Sequence, residues 1–512
     1  MKNLFTPSVF KTVQKLILTS LLLGNVSFQT EAQDTSSEHA SETSSYYKAD
    51  WHSLQQYKEP EWWRNMKFGI YFHWGPYSVP AEQTEWYSHY MYQKDHPLYK
   101  YHRQHFGPQD KFGYKDFIPL FTAKKFDADK WAALFKEAGA QFAGPVAEHA
   151  DGFAMWDSKL THWDAMEMGP KQDIVAAMQK AIRKQDIKFI IIFHRHWLYA
   201  WYPTWDKTSD CFNPKYADLY GPKTPKGTFV GANKPTVPLP DAKFNQAWLD
   251  RLNELMDNYQ PDIIWFDNKM DIIGEPYRQQ FLANYYNKAK TWKKEVVCTY
   301  KAHDLPVGTA VLDLERSRMK DKKDFPWLTD DSIDWGAWCN VSDPHYKTTN
   351  RLIDFLVDVV SKNGAVLLNV TPTAEGVMPQ PVQKRLRQMG AWLKINGKAI
   401  YNTRPWKIYG EGVQKIVEGH LSEKNNTDAT AAEIRFTTCA GHLYAFVLDW
   451  PKNNTVLIHS LHKGNTLMKQ AIKSATLLGS NEKVTCQQTD KGLSLKLNKK
   501  PSLSYAYCFE LK

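Results

Sequence analysis

The sequence predicts a (β/α)8 barrel of the TIM-like α/β class followed by a C-terminal antiparallel β-sandwich. Three observations predict it. Short apolar runs rich in β-branched and aromatic residues alternate with amphipathic stretches of helical spacing through residues 51–406. Side chains able to do chemistry gather at the C-terminal ends of those runs, the face on which barrels of this class carry their sites. After Trp406 the helical spacing gives way to short alternating segments punctuated by Gly, Asn and Lys, the pattern of a sandwich over 407–512. A doubly wound open sheet also places sites at strand ends, but its crevice would not recruit nearly every strand.

Residues 1–33 carry Lys2, Lys11 and Lys15, then the run 16–23 (LILTSLLL), then small and polar residues around Ala32. This reads as a cleaved export signal, too short in its apolar part to be a permanent anchor. Residues 34–50, rich in Ser, Thr, Glu and Ala, read as a linker. No later run approaches transmembrane length, so no integral membrane segment is expected and the chain is expected to be secreted or periplasmic.

Strands are expected at 68–73, 141–148, 187–194, 262–267, 296–301, 310–315 and 365–371, with a more polar eighth near 327–333 (WLTDDSI). Between them, 128–139, 172–185, 246–258, 276–293 and 351–362 have helical spacing. Sandwich strands are expected at 413–418, 432–437, 442–448, 455–460, 474–478 and 503–509.

A chain of 512 residues exceeds what one core usually holds, in keeping with a large domain and a small one. Aromatics at 14%, with 20 Trp, fit either dense core packing or rings that stack on the C–H faces of sugars. The formal charge of +10 comes with no dense Lys/Arg stripe and no nucleic-acid motif, so nucleic acid is not implied. The six Cys are far apart, with no metal-like pair; three fall near the C-terminus, where one bridge is possible in an oxidising compartment.

Asp267 ends the run IIWFD, and Trp265 shares its face by the period of two. Glu315 ends VLDLE, with Asp313 on the same side. Two carboxylates from different strands can face each other across a barrel mouth, as glycoside hydrolysis requires; the competing reading is a salt-bridge network of Asp313, Glu315 and Arg316. His73, Glu85 and Trp86 follow the first strand, a set suited to a sugar, with polar groups for hydroxyls and a ring for an apolar face. Glu148, His149 and Asp151 follow the second, where Asp151-Gly152 also reads as a turn. His194 and His196 are spaced to share a strand face, which raises a metal pair, but no further ligand spacing accompanies them. The run 320–324 reads as a solvated loop, with contact to an anionic substrate as the alternative.

The stretches KFGIYFHWGPYSVP, EWY, EHADGFAMWDSKLTHW, KQDIV, PDIIWFD, NGAVLLNVTPTAEG and MGAWLKINGKAIYNTRPW resemble, in that order, the α-L-fucosidases of glycoside hydrolase family 29 over roughly residues 60–406. The resemblance implies a barrel and sandwich, retention of configuration, no metal or other cofactor, and a fucosylated oligosaccharide or glycoconjugate as substrate. It places the nucleophile at Asp267 and a hydroxyl-binding set at His73, Glu85, Trp86 and His149, with Trp265 as the wall for the sugar methyl. Where the family has a second histidine this chain has Ala150, so that contact is absent or supplied by Glu148. Phe193 and His194 stand where relatives have tyrosines, giving His194 a polar role. Glu315 is the expected acid/base, with Glu85 its rival, and Lys301 stands where relatives hold a basic substrate-binding residue. The alternatives are a same-fold glycosidase for another 6-deoxy or galacto-configured sugar, or a catalytically silent glycan-binding protein.

Overall fold

All eight expected runs form strands of one closed parallel barrel: β1 (Phe68–Phe72), β2 (Phe142–Glu148), β3 (Lys188–Phe193), β4 (Ile263–Phe266), β5 (Val297–Lys301), β6 (Val311–Glu315), β7 (Trp327–Ser332) and β8 (Gly364–Val370), with β8 returning to pair with β1. The computed structural model describes residues 46–231, 238–468 and 470–512. The expected export signal and residues 34–45 of the expected linker therefore lie outside the described residues. Strand β7, the polar candidate, is buried along its whole length.

Side-chain alternation sorts each strand into two layers. Ile190, Ile192, Ile263, Trp265, Val297, Val311, Leu328, Ala365 and Leu367 pack together inside the barrel, with Trp63 and Phe142. Their neighbours Ile191, Ile264, Cys298 and Val366 belong instead to the larger core that includes the helices. The inner layer is apolar through its lower levels, and continuing the same period toward the strand ends brings His73, His194, Asp267, Lys301, Glu315, Asp330 and Asn369 to the mouth.

The longer helices that follow strands are α1 (Ala128–Glu137), α2 (Ile174–Lys184), α3 (Ala242–Tyr259), α4 (Glu275–Thr291), α5 (Thr349–Ser361) and α6 (Gln380–Asn396). The sequence reading did not single out the last as a helix. Asp127, Asp173, Asp241 and Thr348 cap α1, α2, α3 and α5 by accepting an amide N–H of the first turn, which fixes where each begins. Among the described residues, β5 and β6 are followed by turns and irregular chain rather than helices.

The C-terminal strands are β9 (Arg404–Glu411), β10 (Ile434–Cys439), β11 (His442–Val447), β12 (Thr455–Ile458), β13 (Ala475–Leu477), β14 (Thr485–Thr489), β15 (Gly492–Lys496) and β16 (Tyr507–Leu511). They form an antiparallel sheet in the order β13-β16-β11-β10-β9 and a smaller one in the order β12-β15-β14. Phe436, Val447 and Phe509 of the first share a core with Ile458, Leu493 and Leu495 of the second.

Two expectations are corrected. Residues 413–418 are not a strand: the amides of Val413 and Gln414 donate to the Glu433 carboxylate and that of Val417 to the Asn426 side chain, so side chains take the hydrogen bonds that a ladder would need. The sheet instead opens at Arg404, inside the stretch expected for the barrel, and β14 and β15 were not foreseen. No cysteine bridge forms; all six thiols are free.

Gly390 in α6 marks a close approach to α1, because a Cβ there would lie 1.9 Å from the Glu137 carbonyl oxygen. Ala favours an exposed helix interior, but Gly390→Ala is expected to destabilise the protein by about 1–3 kcal/mol through overpacking. A thermal melt with an unchanged or raised midpoint would contradict this.

Candidate active site at the barrel mouth

Lys301, the last residue of β5, points up the barrel axis into a ring of acids. Its Nζ lies 3.0 Å from Asp330 Oδ1, 3.2 Å from both Asp267 Oδ1 and Glu315 Oε2, and 3.8 Å from Asp313 Oδ2. Burial opposes the ammonium, but Asp330, Glu315, Asp267 and Asp313 outweigh it and hold the Lys301 pKa well above the usual lysine value. One cation against four carboxylates leaves the acids unequal. At Asp267 burial works to raise the pKa, yet Lys301, His196 and the Asn268 amide prevail and keep it below the ordinary carboxylate value. At Asp330 burial wins, reinforced by Asp313 and Glu315 against the pull of Lys301, and its pKa stands well above the ordinary value. Asp313 shifts upward too, chiefly by burial. The cluster therefore favours an ionised Asp267 beside acids that retain protons more readily, the separation that acid–base chemistry between carboxyl groups requires.

Asp313 does not join Arg316 in the salt-bridge network of the competing reading. Its Oδ2 accepts from Trp265 Nε1 at 2.8 Å, fixing the indole, while Arg316 covers the Trp338 ring at 4.3 Å and donates to the Trp335 carbonyl at 2.5 Å.

Three imidazoles form the facing wall. His73, His149 and His194 offer ring nitrogens all within 4.8 Å of one another, a geometry that can hold a metal ion or straddle adjacent hydroxyls. Burial is the largest cause lowering all three pKa values, to about 4 for His73, so the rings are neutral near pH 7. Asn369 on β8 sets the tautomer of His73. Its side-chain Nδ2 donates to the Trp338 carbonyl and to Ser332 Oγ, which leaves Oδ1 to accept from the His73 amide and from His73 Nδ1, each at 2.9 Å. Nε2 of His73 is thereby the acceptor nitrogen.

His194 and His196 do not share a face, contrary to the spacing, because the chain leaves β3 as a short 3-10 helix, Arg195–Leu198. His194 lines the cavity; His196 instead pairs through Nε2 with the Asn268 carbonyl at 2.8 Å and so braces the turn after Asp267.

Glu148 is corrected as well. Strand parity would aim it inward with Val146, but a register shift between Val146 and Glu148 turns it out of the barrel, where Arg195 and Arg251 hold it at 2.5 and 3.2 Å. Fully buried between two guanidiniums, it is not among the cavity-lining residues. The same shift brings His149 to the mouth.

The cavity measures about 1030 Å³ and is lined by His73, Glu85, Trp86, His149, His194, Trp265, Asp267, Lys301 and Glu315 among the expected residues. Glu85 is buried, which raises its pKa, and it accepts the Trp338 amide at 3.1 Å. Trp86 packs edge-on against Trp201 and Trp197. Asp151 lies outside the cavity lining, accepting from the Tyr114 hydroxyl at 2.6 Å, so its role is to hold the turn with Gly152. The run at 320–324 also lies away, with Lys322 donating to the carbonyls of Trp406 and Lys407.

Sequence reasoning missed Asp330, Asn369, Trp335, Trp338, Asp304 and the segment from His420 to Lys424, all but Asn369 and Ser422 in the cavity lining. Asp330 and Asn369 had a readable signal: each is a polar residue at the inward parity near the end of a barrel strand. The 420–424 segment had none, since it lies in the C-terminal part of the chain.

Residues 34–398 match the family model described as alpha-L-fucosidase, and residues 426–512 that described as alpha-L-fucosidase C-terminal domain. The tissue alpha-L-fucosidase of Bos taurus is 31% identical over 417 residues, covering 79% of this chain and 78% of the relative. The plasma alpha-L-fucosidase of Homo sapiens is 29% identical over 424 residues, 80% of each chain. Among solved structures, the alpha-fucosidase of Thermotoga maritima in complex with fucose is similar with a TM-score of 0.70 at 27% identity, covering 91% of this chain and 100% of that one.

Lys301→Met leaves Asp267, Asp313, Glu315 and Asp330 without their shared cation. Carboxyl groups whose pKa is higher folded than unfolded favour folding at low pH and oppose it once pH passes the unfolded value. Stability of the variant relative to the parent is therefore expected to recover as pH falls from about 8 to about 5. Melting curves across that range check it, and a pH-independent difference from the parent would contradict the charge account.

Proposed function

The chain belongs to the α-L-fucosidase family and is a glycoside hydrolase of that type, and from this premise we propose that it is a retaining, exo-acting α-L-fucosidase that removes terminal α-L-fucosyl units from glycans. The observation that carries the reading is the pairing of Asp267 and Glu315 on one ammonium. Each contributes an oxygen 3.2 Å from Lys301 Nζ, which bounds the separation of those oxygens at twice that distance and supports the close spacing of a nucleophile and its acid rather than a pair parted by a water.

In this reading the ionised Asp267 attacks C1 of the fucosyl unit while the protonated Glu315 gives its proton to the departing glycosidic oxygen. A covalent glycosyl ester forms on Asp267. Glu315, now a carboxylate, takes a proton from water as that water attacks C1, and the ester bond breaks to release fucose and restore both groups. The neutral imidazoles of His73, His149 and His194 bind sugar hydroxyls, and Trp265 offers a face for the methyl group. Ala150 leaves one imidazole of the family pattern missing, and His194, its ring centroid 4.6 Å from that of His149, stands in from the neighbouring strand. Glu148 cannot serve, being held by its two arginines. The basic start and apolar run of residues 1–33 support export of the enzyme, which sequencing of the mature N-terminus would test.

Asp267→Gly is expected to lower kcat on an aryl α-L-fucoside by at least about 10³-fold. Added azide is expected to restore turnover by attacking from the vacated side and giving the β-azide. Undiminished activity in the variant would sink the mechanism. A panel of nitrophenyl glycosides in which another 6-deoxy or galacto-configured sugar was cleaved faster would replace fucose as the substrate.

A further inference from the structure

The chain that leaves β6 at Glu315 is joined to a segment of the C-terminal region instead of a barrel helix. Leu421 donates its amide to the Glu315 carbonyl at 3.0 Å, and Glu423 donates its amide to the Arg316 carbonyl at 2.8 Å. Ser422 Oγ lies 3.2 Å from Ser317 Oγ, and Gly419 donates to Ser317 Oγ at 3.1 Å. Below these contacts the Glu423 carboxylate is gripped by Arg318, at 2.7 and 2.5 Å, and by Arg351 at 2.7 Å, all three side chains buried. Residues 419–423 are thus fastened to the strand end that carries Glu315, although they follow β9 of the sandwich in the chain.

This anchoring delivers His420 to the cavity. Its ring Nδ1 lies 3.6 Å from Glu315 Oε2, an oxygen that also accepts from Lys301 at 3.2 Å and from Asn268 Nδ2 at 3.5 Å, and the imidazole is more than half exposed. Leu421 and Lys424 line the same cavity. The sugar-binding groups His73, His149, His194 and Trp265 form one wall of a space of about 1030 Å³, far more than one monosaccharide fills. The position beside Glu315 is where the departing oxygen and the sugar attached to it must lie if Glu315 protonates that oxygen.

We propose that the sandwich-side segment 419–424 forms the leaving-group subsite, in which His420 hydrogen-bonds a hydroxyl of the saccharide to which the fucosyl unit is attached. The inference rests on the fucosidase reading and extends it from the cleaved sugar to its acceptor. His420 is a specificity residue here: it contacts the part of the substrate that an aryl leaving group lacks.

The test compares a fucosylated disaccharide with a nitrophenyl α-L-fucoside in the full-length enzyme. His420→Ala is expected to lower kcat/KM on the disaccharide by about tenfold more than on the aryl fucoside. His420→Gln, which keeps a hydrogen-bond donor, is expected to recover part of that difference. Equal changes on both substrates, or a selective loss that His420→Gln leaves as deep as His420→Ala does, would overturn the inference while leaving the fucosidase reading intact. A parent enzyme that cleaves neither substrate would overturn both.

Discussion

The arrangement at the mouth depends on a single buried ammonium. Lys301 sits at the end of β5, and the acids around it come from β4, β6 and β7, so one charge ties together four consecutive strands at their functional ends. Without it, four carboxyl groups this close could not be buried together in ionised form. With it, Lys301 and its neighbours keep the Asp267 pKa below the ordinary carboxylate value, while burial raises those of Asp313 and Asp330. The neutral histidines across the cavity complete the contrast, since burial removes charge there instead of concentrating it.

Much of this was legible in the sequence because a barrel strand has only one pattern to obey. A period of two, extended past the apolar run, gives the inward residue at each strand end, and it leads correctly to His73, His194, Asp267, Lys301 and Glu315. It fails where the backbone leaves that period. The irregular register in β2 turns Glu148 outward, and the 3-10 turn after β3 separates His196 from His194. Neither departure leaves a mark in the side-chain pattern, because each is a property of backbone pairing. The same period also marks Asn369 as an inward residue, but its work of orienting a neighbour's proton is visible only when both partners of its amide are known.

The other limit was distance along the chain. The alternation at 413–418 suggested a strand, and the hydrogen bonds that decide otherwise come from Glu433 and Asn426, which local spacing cannot reveal. The segment beyond it reaches back about a hundred residues to the end of β6, where the chain has no helix of its own. A barrel usually builds its mouth from the loops between its own strands and helices. Here one side of it is built from a later part of the chain.

The ion pairs behind that segment give the two parts of the chain a common fate. Arg318 lies just past a barrel strand, Arg351 and Asp358 lie on α5, and they close on Glu423 and Arg435 from the sandwich side, every one of them buried. Cutting the chain before the sandwich would take Glu423 from Arg318 and Arg351 and Arg435 from Asp358, leaving Asp358 its pair with Lys362 at 2.8 Å and the two arginines without their main carboxylate, and breaking a buried pair in this way costs several kcal/mol. The sandwich therefore supplies partners to buried charges of the catalytic unit. The two parts are joined by buried ion pairs, and a shortened gene would encode a barrel in which Arg318 and Arg351 lack the Glu423 carboxylate.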